Sequence, residues 1–147
     1  MTNNNLEITD PVFTLGVASR LSGVPVHSIR QYIDRGLVIP YTRESGRHLF
    51  SQVDVARLKF IRRKLNGEGL NIAGIKAVLA LIPCWEIRKC SAADRECCEA
   101  YLDNRAPCWE ASVKGPECRN MDCRECGVYR FMEAGGDVKS LLRRALR

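Results

Sequence analysis

A mainly α-helical chain in two parts, short helices around a small hairpin and then a compact cysteine-rich module, is predicted by three observations. Apolar residues recur at spacings of three and four between residues 15 and 82, an extended two-armed segment interrupts them at 39–50, and all eight cysteines lie between Cys84 and Cys126. The 147 residues suit one ordinary domain or two small ones, which argues against a large enzyme core with a deep cleft. The net charge of +6 is uneven: residues 1–80 carry 11 Lys and Arg against 6 Asp and Glu, residues 81–147 carry 12 against 11. The positive excess therefore belongs to the first half, the side expected to meet a polyanion.

Residues 1–11 read as a disordered tail. Thr14 caps a first helix over 15–21 with Leu15, Ala18 and Leu21 inward, and Gly23 supplies the left-handed turn that stops it. A second helix follows, in which Val26, Ile29 and Ile33 form the buried face and His27, Ser28, Arg30, Gln31 and Arg35 point outward. That outer face is polar and basic, with no carboxylate before Asp34. Two short helices joined at a glycine turn, the second with hydrogen-bonding side chains outward, form a helix-turn-helix pattern suited to a major groove. Gly36 ends the second helix, and IPYTRESGRHLF at 39–50 reads as a hairpin turning near 44–46, a wing carrying Arg43, Arg47 and His48. Ser51 and Asp54 make a capping box for a third helix, with Val53, Ala56 and Phe60 in one apolar row and Leu58, Ile61 and Leu65 in the next. Its exposed side is expected to be basic through Arg57, Lys59, Arg62, Arg63 and Lys64. Asn71 caps a fourth helix with Ile72, Ile75, Leu79 and Ile82 inward, ending at Pro83. The fold class is thus a winged helix-turn-helix domain over 12–82 followed by a small cysteine-rich, metal-stabilised domain.

The run FTLGVASRLSGVPVHSIRQYIDRGLVIP, followed by SGRHLFSQVDVARLKFIRRK, resembles the winged helix-turn-helix of the MerR family. IRQY at 29–32 and GLNIAGIKAVL at 69–79 are similar to its HspR-like branch. The resemblance implies a transcription regulator rather than an enzyme, a homodimer on double-stranded DNA, and RNA polymerase as a further partner. It implies that His27, Ser28, Arg30, Gln31 and Tyr32 read bases and phosphates while Arg43, Gly46 and Arg47 of the wing hold flanking backbone. Thr14, Arg35, His48 and Arg62 complete the candidate DNA-binding set. The chain departs from the family at Val17, where a capping glutamate is frequent, at Pro25 in the second helix's cap position, at Ile33 after the tyrosine, and in the order Arg47-His48. No heptad run follows the fourth helix to supply the coiled coil that usually joins such dimers. Dimerisation is therefore expected through the cysteine-rich half or the last helix.

Residues 83–131 hold an internal repeat. PCWEIRKCSAADRECCEAY at 83–101 and PCWEASVKGPECRNMDCRECGVY at 107–129 both open Pro-Cys-Trp-Glu, pass a middle cysteine, and end with a cysteine three residues before a tyrosine. Cys84 then corresponds to Cys108, Cys90 to Cys118 and Cys98 to Cys126, while Cys97 and Cys123 have no strict counterparts. So few aliphatic side chains require a cross-link in place of a core. The CREC spacing at 123–126 is that of a chelating loop in tetrahedral thiolate sites, and with no histidine after His48 the eight cysteines form an all-thiolate donor set or one completed by an exogenous ligand. Such a set suits zinc, an iron-sulfur cluster or a soft monovalent metal, and disfavours magnesium or calcium. One site and two sites both fit the spacing, and disulfides or idle thiols are the competing readings. Trp85 and Trp109 read as packing residues that keep water off the adjacent sulfurs. The repeat resembles the two-CW cysteine domain attached to other bacterial regulators, which implies a small metal-binding or redox-sensing module.

At 135–137 GGD breaks the chain before a last amphipathic helix with Val138, Leu141, Leu142 and Ala145 on one side and Arg143, Arg144 and Arg147 on the other. The expected function is sequence-specific transcription regulation, with the cysteine module binding a metal or cluster and sensing metal or redox state or supporting dimerisation. The competing reading is a structural-metal adaptor that uses the winged domain for protein contacts. An oxidoreductase is disfavoured because no segment reads as a substrate pocket or cofactor fold. No stretch approaches the roughly 20 apolar residues of a membrane span, and MTNNNLEITD has neither a basic leader nor an apolar run. The expected location is cytoplasmic.

Overall fold

The computed structural model describes residues 5–131 and 138–145. The chain divides into two compact units, Met1–Glu68 and Gly69–Arg147. The protein is mainly helical, as its sequence predicts.

The first unit runs β1 (Phe13–Thr14), α1 (Leu15–Ser22), α2 (Val26–Asp34), β2 (Tyr41–Thr42), β3 (His48–Phe50) and α3 (Gln52–Asn66). The hairpin is the one expected: Arg43 N donates to Arg47 O at 2.9 Å and Gly46 N to Arg43 O at 2.8 Å. Gly46 takes φ +83°, a left-handed conformation that a side chain would strain. Sequence periodicity does not foresee β1, because two residues are too few to show a period. It pairs antiparallel with β3, Phe13 opposite Phe50 and Thr14 opposite Leu49, giving the sheet order β1-β3-β2. Thr14 thus ends a strand and caps α1, its Oγ1 accepting from Val17 N at 3.4 Å. Ahead of β1, Val53 N donates to Ile8 O at 3.2 Å.

Ala18, Val24, Ile29, Leu37, Phe50 and Leu58 are buried in the first unit. Three side chains depart from the expected faces. Leu21, expected inward, is 46 % exposed, and Ser22 is buried. The turn after α1 needs polar partners there: Ser19 Oγ donates to Val24 O at 2.6 Å and Val24 N to Ser22 Oγ at 3.1 Å. Ala56, expected in an apolar row, is exposed. Arg57, expected on the basic outer face, is only 3 % exposed, and its Nε donates to Leu37 O at 2.7 Å. A buried carbonyl in a loop has no ladder partner, and a long guanidinium stem supplies one. The capping box forms as predicted, with Ser51 N donating to Asp54 Oδ2 at 2.8 Å and Asp54 N to Ser51 Oγ at 3.2 Å.

The second unit contains α4 (Ile72–Ala80), α5 (Cys84–Ile87), α6 (Ala92–Glu96), α7 (Glu99–Leu102), 3-10 turns at Cys108–Glu110 and Cys123–Glu125, α8 (Gly127–Arg130) and α9 (Val138–Ala145). The break expected at 135–137 lies outside the described residues. Asn71 caps α4, accepting from Gly74 N at 2.7 Å, and Ile75, Leu79 and Ile82 are buried as expected, with Ile72 half-buried. Elements of three to five residues cannot hold themselves helical. Packing fixes them instead: α5 lies against α8, and α7 against the Cys108–Glu110 turn. The start of each repeat therefore meets the end of the other. Pro83 and Pro107 are both fully buried, and the ion pair Lys76–Glu110 at 2.9 Å ties α4 to the second repeat.

Candidate nucleic-acid surface and thiol-lined cavity

In the first unit a concave surface gathers three segments. The start of α1 contributes Thr14, Leu15 and Gly16; α2 contributes Arg30; and the wing contributes Arg43, Arg47 and His48 with the turn residues Ser45 and Gly46. The first turn of α1 carries no acidic residue, so the positive end of the helix is not neutralised where the three arginines converge. Gly16 sits in open space, with no atom within 4 Å of where a Cβ would stand. Cationic forks beside a helix N-terminus suit phosphate oxygens. His48 Nδ1 lies 3.1 Å from Thr42 Oγ1, which ties the two wing strands together.

Of the candidate DNA-binding residues, this surface brings together Thr14, Arg30, Arg43, Gly46, Arg47 and His48. His27, Gln31 and Arg35 are exposed on or beside α2 outside that lining, and Ser28 is half-buried. Tyr32 is 5 % exposed; burial raises its hydroxyl above the ordinary tyrosine range, with Arg62 opposing the shift. Its ring is a core element, and base contact by the ring is not available in this conformation. Arg62 is exposed on α3, and its Nη1 would stand 3.1 Å from a Cβ at Gly23, which places it over the turn between α1 and α2. Leu15, Gly16 and Ser45 also line this surface, and in the sequence only their adjacency to the Thr14 cap and the Gly46 turn points to them.

The second feature is a cavity in the second unit. The first repeat supplies Cys84, Cys90 and Cys98; the second supplies Cys108, Cys118, Cys123 and Cys126. Cys97 is exposed and does not line it. Trp85 packs edge-on to Tyr101 at 5.2 Å and 85°, and Trp109 to Tyr129 at 5.1 Å and 84°, so each repeat builds the same aromatic wall. All eight cysteines are unpaired thiols. Burial pushes Cys84 up to about 11, reinforced by the neighbouring Cys98, Cys118 and Cys90. Burial raises Cys108 further, helped by Cys84 and Cys126, while Cys90 and Cys118 are also raised, chiefly by burial. At neutral pH these groups are protonated in the metal-free chain, so a bound metal must displace their protons.

The donor chemistry fits a thiophilic metal: seven sulfurs line a cavity walled by aromatic rings, with Lys114 Nζ 3.8 Å from Cys123 Sγ as a counter-charge. The coordination sphere is not preset. Among the described residues no three His, Cys, Asp or Glu side chains are gathered as a group that could hold a metal ion as they stand. The thiols surround the space, and binding would have to draw their sulfurs inward.

The family described as MerR HTH family regulatory protein matches residues 13–82, a span that includes α4. The chain is similar to a putative heat shock protein HspR of Streptomyces coelicolor, 38 % identical over 81 residues, covering 53 % of each chain. It is 39 % identical over 71 residues to the HTH-type transcriptional regulator GlnR of Bacillus anthracis, covering 48 % of this chain and 54 % of that one. The Heavy metal-dependent transcription regulator 2 of Rhizobium meliloti is 37 % identical over 81 residues, 54 % of this chain and 52 % of its own. The chain thus matches about half the length of these curated relatives. Among the described residues no helix is long and apolar enough to cross a membrane.

Proposed function

We propose that the protein, whose residues 13–82 match the MerR HTH regulatory family, is a sequence-specific DNA-binding transcription regulator acting as a homodimer. The observation that carries this reading is the concave surface on which Arg30 of α2 meets Arg43 and Arg47 of the wing at the unneutralised start of α1. Such a surface clamps the sugar-phosphate backbone and sets the register in which α2 meets base edges. His27, Gln31 and Arg35, exposed beside Arg30, are the residues left to reach bases.

The cysteine module, on this reading, binds zinc or an iron-sulfur cluster through thiolates and conveys metal or redox state to DNA binding. The seven-cysteine cavity supports this, as does similarity to a regulator whose name states heavy-metal dependence. Duplex binding measured across a salt series tests the DNA arm. Gln31→Ala should cost about 1 to 3 kcal/mol, with relaxed discrimination at particular base pairs, whereas Arg30→Ala and Arg47→Ala should weaken every duplex alike. Affinity indifferent to salt would instead favour the protein-binding adaptor.

A further inference from the structure

We propose that the two PCWE repeats build one thiolate centre between them for a thiophilic metal, rather than one centre each, with Cys84 and Cys108 as its paired inner ligands. The inference rests on the metal-binding reading above and adds its ligand pairing and its all-or-none character.

Four observations carry it. First, the repeats are interleaved: α5 of the first packs on α8 of the second, and α7 of the first on the Cys108–Glu110 turn of the second. The thiol-lined cavity takes its lining from both repeats. Secondly, Cys84 and Cys108 hold equivalent places. Each opens a short helical turn, follows a fully buried proline, and precedes a tryptophan held edge-on by a tyrosine of its own repeat. The same scaffold, built twice, turns both sulfurs onto the same cavity.

Thirdly, the backbones of the two repeats are pressed together by glycine. A Cβ on Gly115 of the second repeat would stand 3.0 Å from Asp94 O and 3.6 Å from Cys98 Cβ of the first, and one on Gly127 would stand 3.3 Å from Ile87 Cγ2. Glu99 N also donates to Val113 O at 3.0 Å, with Val113 N donating back to Glu99 Oε2 at 3.2 Å. Repeats joined this closely cannot rearrange around separate ions independently. Fourthly, cations of both repeats border the thiols. Arg88 of the first donates to Glu117 O of the second at 3.0 Å, and Lys114 of the second reaches Trp109 O at 3.4 Å and the Cys123 sulfur at 3.8 Å. Four thiolates around a divalent ion carry a charge of about −2, and the cavity lining itself carries Arg95 of the first repeat and Lys114 of the second, beside Asp94 and Glu117. Cys97, exposed and off the cavity, is excluded from the ligand set.

The test uses the full chain, reduced and metal-free, titrated anaerobically with less than saturating metal and then alkylated. One arm uses zinc ion; the other uses ferrous iron with sulfide, and the visible absorption of the second distinguishes a cluster from a simple ion. A shared centre gives two populations by intact mass, one alkylated at all eight thiols and one with the ligand thiols of both repeats protected and Cys97 still alkylated, with Cys84 and Cys108 protected in parallel at every metal level. Molecules protected in one repeat and alkylated in the other would overturn the shared centre while leaving metal binding intact. Elemental analysis of C84S and C108S should show each retaining less than a tenth of the wild-type metal, and C97S retaining all of it. Retention of half the metal by either C84S or C108S would likewise overturn the proposal. If the wild-type chain takes up neither metal and all eight thiols alkylate freely without denaturant, the metal-binding reading itself fails and the pairing with it.

Discussion

At the scale of single residues, Arg30 and Arg57 show how one side-chain type serves two ends. Arg30 is exposed and lines the basic surface; Arg57 is buried and holds Leu37 O. Arg57→Ala should therefore lower the stability of the first unit by about 2 to 4 kcal/mol, since it strands a buried carbonyl and opens a void. Urea unfolding followed by far-ultraviolet circular dichroism reads that loss. Arg30→Ala should leave the same unfolding curve within about 0.5 kcal/mol, so that its effect appears only with duplex present. A stability loss at Arg30 as large as at Arg57 would mean that the exposed arginine supports the fold rather than a ligand.

At the scale of elements, short pieces are held by specific end contacts. The capping box of α3 satisfies donors at both Ser51 and Asp54, and Asp54 is itself buried. Ser51→Ala should cost about 1 to 2 kcal/mol, seen as a lower midpoint in the same unfolding experiment. In the cysteine module the contact is a close approach. Gly115→Ala meets the backbone oxygen of Asp94 at 3.0 Å, an atom that cannot swing aside as a side chain could. It should destabilise the second unit by about 1 to 3 kcal/mol, visible in the fluorescence of Trp85 and Trp109, with the circular dichroism of the first unit's helices retained. Gly46→Val places a branched side chain at φ +83° in the wing turn. Weaker duplex binding at unchanged metal content is the expected result.

For the whole molecule, the proposed function would give DNA recognition to the basic first unit and its control to the thiol-rich second unit. A homodimer making on the order of six phosphate contacts should lose about a thousandfold in duplex affinity between 50 and 200 mM salt. Footprinting should protect two half-sites about one helical turn or a multiple apart, while a monomer protecting a single half-site would refute the dimer.

Much of the first unit was legible because helix caps, turn glycines and three-four spacing are local signals. Thr14, Gly23, Ser51, Asp54 and Asn71 do what their types and positions predict. The repeat was equally legible, since duplicated PCWE is visible without any fold, and so were the candidate arginines of the wing. Strand β1 was not, because its pairing with β3 spans most of the unit and leaves no local period. Nor was the inward turn of Arg57 or Tyr32, since whether a long polar side chain faces out depends on which carbonyl or cavity tertiary packing leaves beside it. In the cysteine half the sequence by itself determined the donor chemistry and the equivalence of Cys84 with Cys108. Only the tertiary structure decided that seven sulfurs border one cavity and that Cys97 lies outside it. Spacing along a chain limits which thiols can meet locally, but the crossing of the two repeats selects which of them share a space.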